Sequence, residues 1–280
     1  MTKDLLKTFV ENALKEDIGD GDHSSIACIP ETATGKAQLL VKESGVLAGV
    51  EVGIAIFREV EPDIKIEQFL KDGAVVQPGD IVLTVEGKTR TLLKTERLVL
   101  NVMQRMSGIA TRTREYADRL KGLHTKVLDT RKTTPGMRLL EKEAVRIGGG
   151  VNHRMGLYDM VMLKDNHIDF AGGIEKAIAA VHSYLKSIQK DLKIEVEVRS
   201  MDELKEVIRV GGIHRIMLDN FTPEATREAL KAINGAYETE SSGGITLETL
   251  REYAETGVDF ISVGALTHHI KSLDLSLKAI

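Results

Sequence analysis

"RIMLDNFTPEATREALKAI", residues 215–233, contains one full unit of the pattern that decides the fold. A short apolar run ends in Asp219-Asn220, and Thr222-Pro223 then supplies a cap and a first-turn proline for a helix over 223–233. The same rhythm of apolar strand, polar loop and amphipathic helix recurs on both sides. Strands are expected at "KVLD" (126–129), "MVMLK" (160–164), "IEVEV" (194–198), "RIMLD" (215–219), "YETES" (237–241) and "FISVGAL" (260–266). Helices are expected near 138–147, 173–189, 201–210, 223–233 and 246–256, the third opened by Ser200 and Glu203 at capping-box spacing. Alternation of this kind implies a parallel sheet with helical crossovers. Six strands fall short of the eight of a closed (β/α)₈ barrel, so the expectation is an α/β fold with an incomplete or irregular barrel; an open doubly wound sheet is the alternative.

Toward the start of the chain the style differs. Residues 2–16 place Leu5, Leu6, Phe9, Val10, Ala13 and Leu14 on one helical face. From 36 to 88, strand-like runs ("KAQLLVKES", "IKIEQFL", "DIVLTVEG") alternate with turn signals such as "QPGD", as in a small mixed α/β domain. A long helix is expected from 92 to 120, with a bend at Ser107-Gly108. The reading is therefore two domains, 1–110 and 111–280, the final residues being candidates for packing back on the first.

Composition narrows the function. A chain of 280 residues with 42% hydrophobic residues has enough apolar material for a sizeable core. A net charge of −4, no Trp and 4% aromatics argue against nucleic-acid binding, so any cationic site must be local and suited to a small anion. Cys28 is the one cysteine, which leaves no intrachain disulfide or cysteine metal cluster. No run approaches the ~20 apolar residues of a membrane span, and the acidic, amphipathic start does not read as a secretion signal, so a cytoplasmic location is expected.

In either architecture ligands gather at the carboxyl ends of the strands. Those ends carry Thr130-Arg131-Lys132, Lys164-Asp165-Asn166-His167, Glu195 and Glu197, Asp219-Asn220, Ser242-Gly243-Gly244 and Thr267-His268-His269. Arg131, Lys132 and Lys164, with His153 and Arg154 after the 148–150 glycine run, make a positive mouth for a ligand bearing several carboxylates or phosphates. Lys164 invites comparison with Schiff-base lysines, but a charge clamp explains it adequately. His153 reads equally as a carboxylate donor, a titrating group or a structural histidine. Ser242-Gly243-Gly244, read as preceding a helix, is a candidate phosphate cradle. Glu197 and Asp219 reach the mouth from adjacent strands, either holding Mg²⁺ and its waters or pairing with Lys132 and Lys164. Period-2 alternation puts Glu195 on the same face as Glu197 and leaves the choice between them open.

"DTRKTTPGMRLLEKEAVRIGGGVNHRMGLYDMVMLKDNHI", with "ERLVLNVMQRMSGIAT", "EVEV", "MLDN", "SSGGI" and "SVGALTH", resembles the quinolinate phosphoribosyltransferases, also called carboxylating nicotinate-nucleotide pyrophosphorylases. The resemblance runs in order through nearly the whole chain and is weakest before residue 90. It implies an N-terminal α/β sandwich domain and a C-terminal incomplete (β/α) barrel in a homodimer. The implied reaction joins quinolinate to phosphoribosyl pyrophosphate (PRPP), releasing pyrophosphate and CO₂ and giving nicotinate mononucleotide for NAD synthesis. By position, Arg131, His153, Arg154 and Lys164 resemble quinolinate ligands, and Arg97 resembles an arginine contributed across the dimer. Lys132, Glu197 and Asp219 resemble catalytic residues of the pyrophosphate neighbourhood, the two acids holding Mg²⁺ through water. Ser242, Gly243, Gly244, Gly264 and His268 resemble the PRPP phosphate loops. A relative acting on another phosphoribosyl acceptor, which would need fewer carboxylate clamps, is the alternative.

Overall fold

The computed structural model describes residues 3–280 and divides into two compact units. The first comprises the chain up to Arg114 together with Thr133–Gly149 and Leu266–Ile280; the second comprises Glu115–Lys132 and Gly150–Ala265. In chain order the elements before the second unit's sheet are α1 (Lys3–Ile18), α2 (His23–Cys28), β1 (Thr34–Val41), β2 (Gly45–Val46), α3 (Val50–Val60), β3 (Lys65–Gln68), β4 (Val75–Val76), β5 (Ile81–Lys88) and α4 (Thr89–Arg119). There follow β6 (Lys126–Leu128), α5 (Arg138–Gly148), β7 (Val161–Leu163), α6 (Asp165–Ala171), α7 (Ile174–Ser187), β8 (Ile194–Val198), α8 (Met201–Val210), β9 (Arg215–Asp219), α9 (Pro223–Ile233), β10 (Glu238–Ser242), α10 (Leu250–Ala254), β11 (Phe260–Ser262), α11 (Ala265–His268) and β12 (Leu275–Ala279). The helix expected over 2–16 is α1; Thr2 lies outside the described residues.

The first unit is built on an antiparallel sheet in the order β12-β1-β5-β3, with a short β2-β4 pair beside it. Along β1 the side chains of Ala37, Leu39 and Val41 are buried, the period-2 signature of a strand with one covered face. α3 was not expected, because its sequence VEVGIAIFREV is rich in the β-branched residues that favour strands. Burial of Val50, Val52, Ile54, Ile56 and Phe57 overrides that local preference. α4 runs unbroken through Ser107-Gly108, where a bend was expected. Gly108 is there for close approach instead: a Cβ at this position would strike the Lys271 carbonyl oxygen and lie 3.0 Å from the Ser272 Cα. Ser107 Oγ is equally committed, donating to the Ala48 carbonyl at 3.1 Å and accepting the Ala48 N–H at 2.9 Å. α5 follows β6 in sequence but belongs to this unit, since its buried Glu141 takes the Arg105 guanidinium (Nε to Oε1, 2.7 Å).

The second unit is an all-parallel sheet in the order β6-β11-β10-β9-β8-β7. Neighbours follow chain order throughout, and the first strand pairs with the last. A doubly wound sheet reverses direction at a switch point instead. Val151 adds a parallel bridge to Leu128 on the free side of β6, so the barrel is open between Val151 and β7. Along β8 and β9, Ile194, Val196, Val198, Ile216 and Leu218 alternate with Glu195, Glu197, Arg215 and Met217, so each strand is apolar on one face and largely charged on the other although both faces are buried. Their outward face packs on α7, α8 and α9 through Ile178, Leu204, Val207, Ala229 and Ile233. α8 and α9 start where their caps place them: Ser200 Oγ accepts the Glu203 N–H and Thr222 Oγ1 accepts the Ala225 N–H, each at 3.2 Å.

Candidate active site

Each parallel strand delivers a side chain to the same end of the barrel, and the residues immediately after β6 and β7 carry the charge. Arg131, Lys132, His153, Arg154 and Lys164 surround one cavity of about 240 Å³, together with Thr130, Met162, Met217, Glu240, Ser242 and Ser262. Lys164 sits where β7 turns into α6, a helix not expected from "DNHIDFA" because the segment is short and polar. The imidazole of His167 holds that junction, its Nδ1 accepting the Lys164 backbone N–H at 3.0 Å.

Like charges crowd the wall of this cavity, with Glu197 paired to Lys164. Burial and the neighbouring charge of Arg131 both depress the Arg154 pKa below the usual guanidinium value. Arg154 is anchored by its Nη1, which donates to the Met160 carbonyl at 3.2 Å. Crowded arginines of this kind are poised for an anion that relieves their mutual repulsion.

The acids divide between two levels. Lys164 Nζ forms a close ion pair with Glu197 Oε2, and the Glu197 side chain is 8% exposed. Asp219, at the end of the next strand, has its carboxyl raised by burial and by the charge of Glu197, against the opposing pull of Lys164. Glu195 shares the Glu197 face but lies deeper, its Oε2 3.0 Å from His153 Nε2. Of the two readings for Glu197, the pairing with Lys164 is present, while Glu195 is committed to His153. Two hard carboxylates on adjacent strands, with charge that Lys164 only partly offsets, are the donor set that suits Mg²⁺.

The phosphate-loop candidates are placed unevenly. Ser242 lines the cavity, while Gly243 and Gly244 form the loop after β10 at φ of +102° and +63°. A Cβ on Gly243 would collide with the Asn220 side-chain amide, and the Asn220 N–H is bonded to the Ser242 carbonyl at 2.9 Å, so the loops after β9 and β10 are locked together. These glycines do not open a helix, contrary to expectation. Thr246 and Thr249 close a turn, the Thr246 N–H reaching Thr249 Oγ1 at 3.0 Å, and α10 starts only at Leu250. Gly264 follows β11 in this unit; the exposed His268 falls in the first unit, as does Arg97, which is exposed on α4.

Supporting residues escaped the sequence reading. Asp129, fully buried, accepts the His153 N–H at 2.8 Å and the Asn152 amide at 2.6 Å. Glu240 Oε2 lies 3.3 Å from His153 Nε2 and 3.2 Å from Arg215 Nη1. The available signal was a run of acids and a base at alternating positions within otherwise apolar strands, which period 2 assigns to one face.

Comparison with known proteins agrees with this geometry. Residues 109–278 match the C-terminal domain of quinolinate phosphoribosyl transferase, and residues 22–107 match its N-terminal domain. The chain is 46% identical to quinolinate phosphoribosyltransferase [decarboxylating] 2, mitochondrial, of Nicotiana glauca, over 98% of this chain and 82% of that protein. It is 42% identical to the probable nicotinate-nucleotide pyrophosphorylase [carboxylating] of Bacillus subtilis, over 97% of this chain and 92% of that one. The crystal structure of NadC from Streptococcus pyogenes superposes with a TM-score of 0.92 at 39% identity, covering 100% of this chain and 99% of that one. The nicotinate-nucleotide pyrophosphorylase of Francisella tularensis gives 0.91 at 38% identity, covering 100% and 98%. On the fold, the cationic barrel mouth and these matches, the chain belongs to the quinolinate phosphoribosyltransferase family.

Proposed function

We infer that this chain transfers the phosphoribosyl group of PRPP to quinolinate, with loss of pyrophosphate and CO₂, giving nicotinate mononucleotide for NAD biosynthesis. The observation that carries the reading is the crowding of Arg131, Lys132, Arg154 and Lys164 around one cavity, where burial and Arg131 already depress the Arg154 pKa. Quinolinate brings two adjacent carboxylates to that cluster. Arg131 and Arg154 are the bidentate partners for these groups, and Lys132 and Lys164 are point charges at the edge of the same cavity. PRPP adds a 5′-phosphate and a pyrophosphate, for which Ser242, Gly243, Gly244 and Gly264 offer backbone N–H groups.

Glu197 and Asp219 would hold Mg²⁺, directly or through water. The ion, when bound, supplies positive charge to the departing pyrophosphate. The chain's own groups perform the rest by placement: the cations hold both anions against their repulsion, with the ring nitrogen facing the ribose C1. Once that nitrogen is alkylated and positive, the ring accepts the electron pair released as the 2-carboxylate leaves as CO₂. No covalent nucleophile is needed. The reading includes a homodimer in which Arg97, exposed on α4, reaches the neighbouring subunit's site. No helix among the described residues is long and apolar enough to cross a membrane.

The direct experiment follows ¹⁴CO₂ release from carboxyl-labelled quinolinate in the presence of PRPP and Mg²⁺. Release that requires all three components is the expected result; release of pyrophosphate with other acceptors but not with quinolinate would overturn the assignment.

A further inference from the structure

Beneath its cationic rim the cavity has an acidic floor. Glu195 and Glu240 have no solvent exposure, on the inward face of the strands where their neighbours include Met162 and Met217. Withdrawing two carboxylates from water is strongly unfavourable unless partners offset it, and apolar side chains would fill the same space at lower cost. Their partners show where the interaction leads. Both acids converge on His153 Nε2, at 3.0 and 3.3 Å. Glu240 is backed by Arg215, whose guanidinium lies 4.2 Å above the Phe260 ring. Burial works against the charge on Glu240, but His153, Arg215 and Ser262 outweigh it and hold this carboxyl below its ordinary value.

The other edge of the imidazole is engaged as well. His153 Nδ1 accepts the backbone N–H of Arg154 at 2.7 Å. An N–H aimed at Nδ1 leaves that atom as an acceptor, so the ring proton resides on Nε2, the nitrogen that lies 3.0 and 3.3 Å from the two carboxylates. Burial disfavours a second ring proton, but Glu195 and Glu240 outweigh it and raise the imidazole to about 9; the Arg154 N–H at Nδ1 is the contact that works against that proton. The side chain is 6% exposed at the cavity wall, and both ring nitrogens face protein groups. Asp129 pins the same stretch from a third side through the His153 N–H and the Asn152 amide.

We propose that Glu195 and Glu240 are positioning residues that hold the Nε2–H of His153, and that His153 in turn fixes the backbone of Arg154 and so aims its guanidinium at quinolinate. His153, which lines the cavity, acts through Arg154. This rests on Arg154 being a quinolinate ligand. The experiment separates the two ideas by measuring quinolinate affinity calorimetrically on the full-length protein for wild type, Arg154→Ala, Glu240→Leu and Glu240→Gln, with KM for PRPP and melting temperature alongside.

Outer partners of an oriented ligand commonly contribute about 10–100-fold, so Glu240→Leu is expected to weaken quinolinate by that factor while KM for PRPP holds. Glu240→Gln keeps an oxygen for the Nε2–H and restores most of the loss. Unchanged affinity in Arg154→Ala would remove the residue from the site, and the proposal with it. Loss in Arg154→Ala without loss in Glu240→Leu overturns the positioning role alone. Equal loss for both substrates with a lowered melting temperature overturns it too, since that is general collapse. Should Glu240→Leu not fold, ¹⁵N NMR of the wild-type histidines still decides: a His153 signal with the proton on Nε2 is expected, and a proton on Nδ1 contradicts the chain of contacts.

Discussion

Replacing Glu197 with Gln removes one charge from the Lys164–Glu197–Asp219 group and nearly nothing else. Two effects follow, and they fall on different ligands. For the metal, one of two carboxylates is lost. Changes to outer partners of a metal site alone cost about 10–100-fold in affinity, so the Mg²⁺ concentration for half-maximal rate should rise by at least about 10-fold. For Lys164, the loss is of a counterion. An ion pair at ~4 Å is worth about 4 kcal/mol at an effective dielectric of ~20, but exposed pairs are measured at only about 0.2–1 kcal/mol. The Lys164 side chain is 45% exposed, so the lower range applies. Freed from Glu197, Lys164 should tighten quinolinate by no more than about 5-fold. The assay is rate against Mg²⁺ at saturating substrates, paired with calorimetric titration of quinolinate. An unchanged Mg²⁺ requirement combined with weakened quinolinate would refute the reasoning, because Glu197 would then serve the dicarboxylate by holding Lys164 in place.

Gly243→Ala forces a side chain into a left-handed conformation and against Asn220; strain of about 1–3 kcal/mol should raise KM for PRPP roughly tenfold or more while quinolinate affinity holds. Gly108→Ala drives a methyl into the Lys271–Ser272 backbone, and overpacking of this kind costs about 1–3 kcal/mol, seen as a melting temperature lowered by several degrees. Mixing Arg97→Ala protein with Lys164→Ala protein should recover part of the activity that each lacks; none recovered after subunit exchange would count against a shared site.

The helices of the second unit were legible where a local device sets their start, as at Ser200 and Thr222, because capping is decided within a few residues. α3 was not, since β-branched residues are read as strand until burial is known. α6 was missed for a related reason: His167, three residues along, stabilises its first turn, and histidine is a weak start signal. Pairing of β6 with β11 distinguishes a barrel from an open sheet, and that contact joins segments more than 130 residues apart, beyond any local pattern. Gly108 looked like a hinge, because a glycine inside a helix reads the same whether it bends or admits a neighbour. Within the candidate site, Arg131, Lys132, Arg154 and Lys164 could be located because strand ends in a parallel sheet converge. Glu240 and Arg215 could not, because a buried charge is recognised by its partner and the partners lie on other strands.

The claim underneath all of this is that Arg131 grips a carboxylate of quinolinate. Calorimetric titration of quinolinate into wild type and Arg131→Ala tests it most directly. Loss of one charge-assisted, bidentate partner should weaken binding by about 10–150-fold, with the protein still folded and its melting temperature within a few degrees of wild type. Equal affinity in the two proteins would contradict the account.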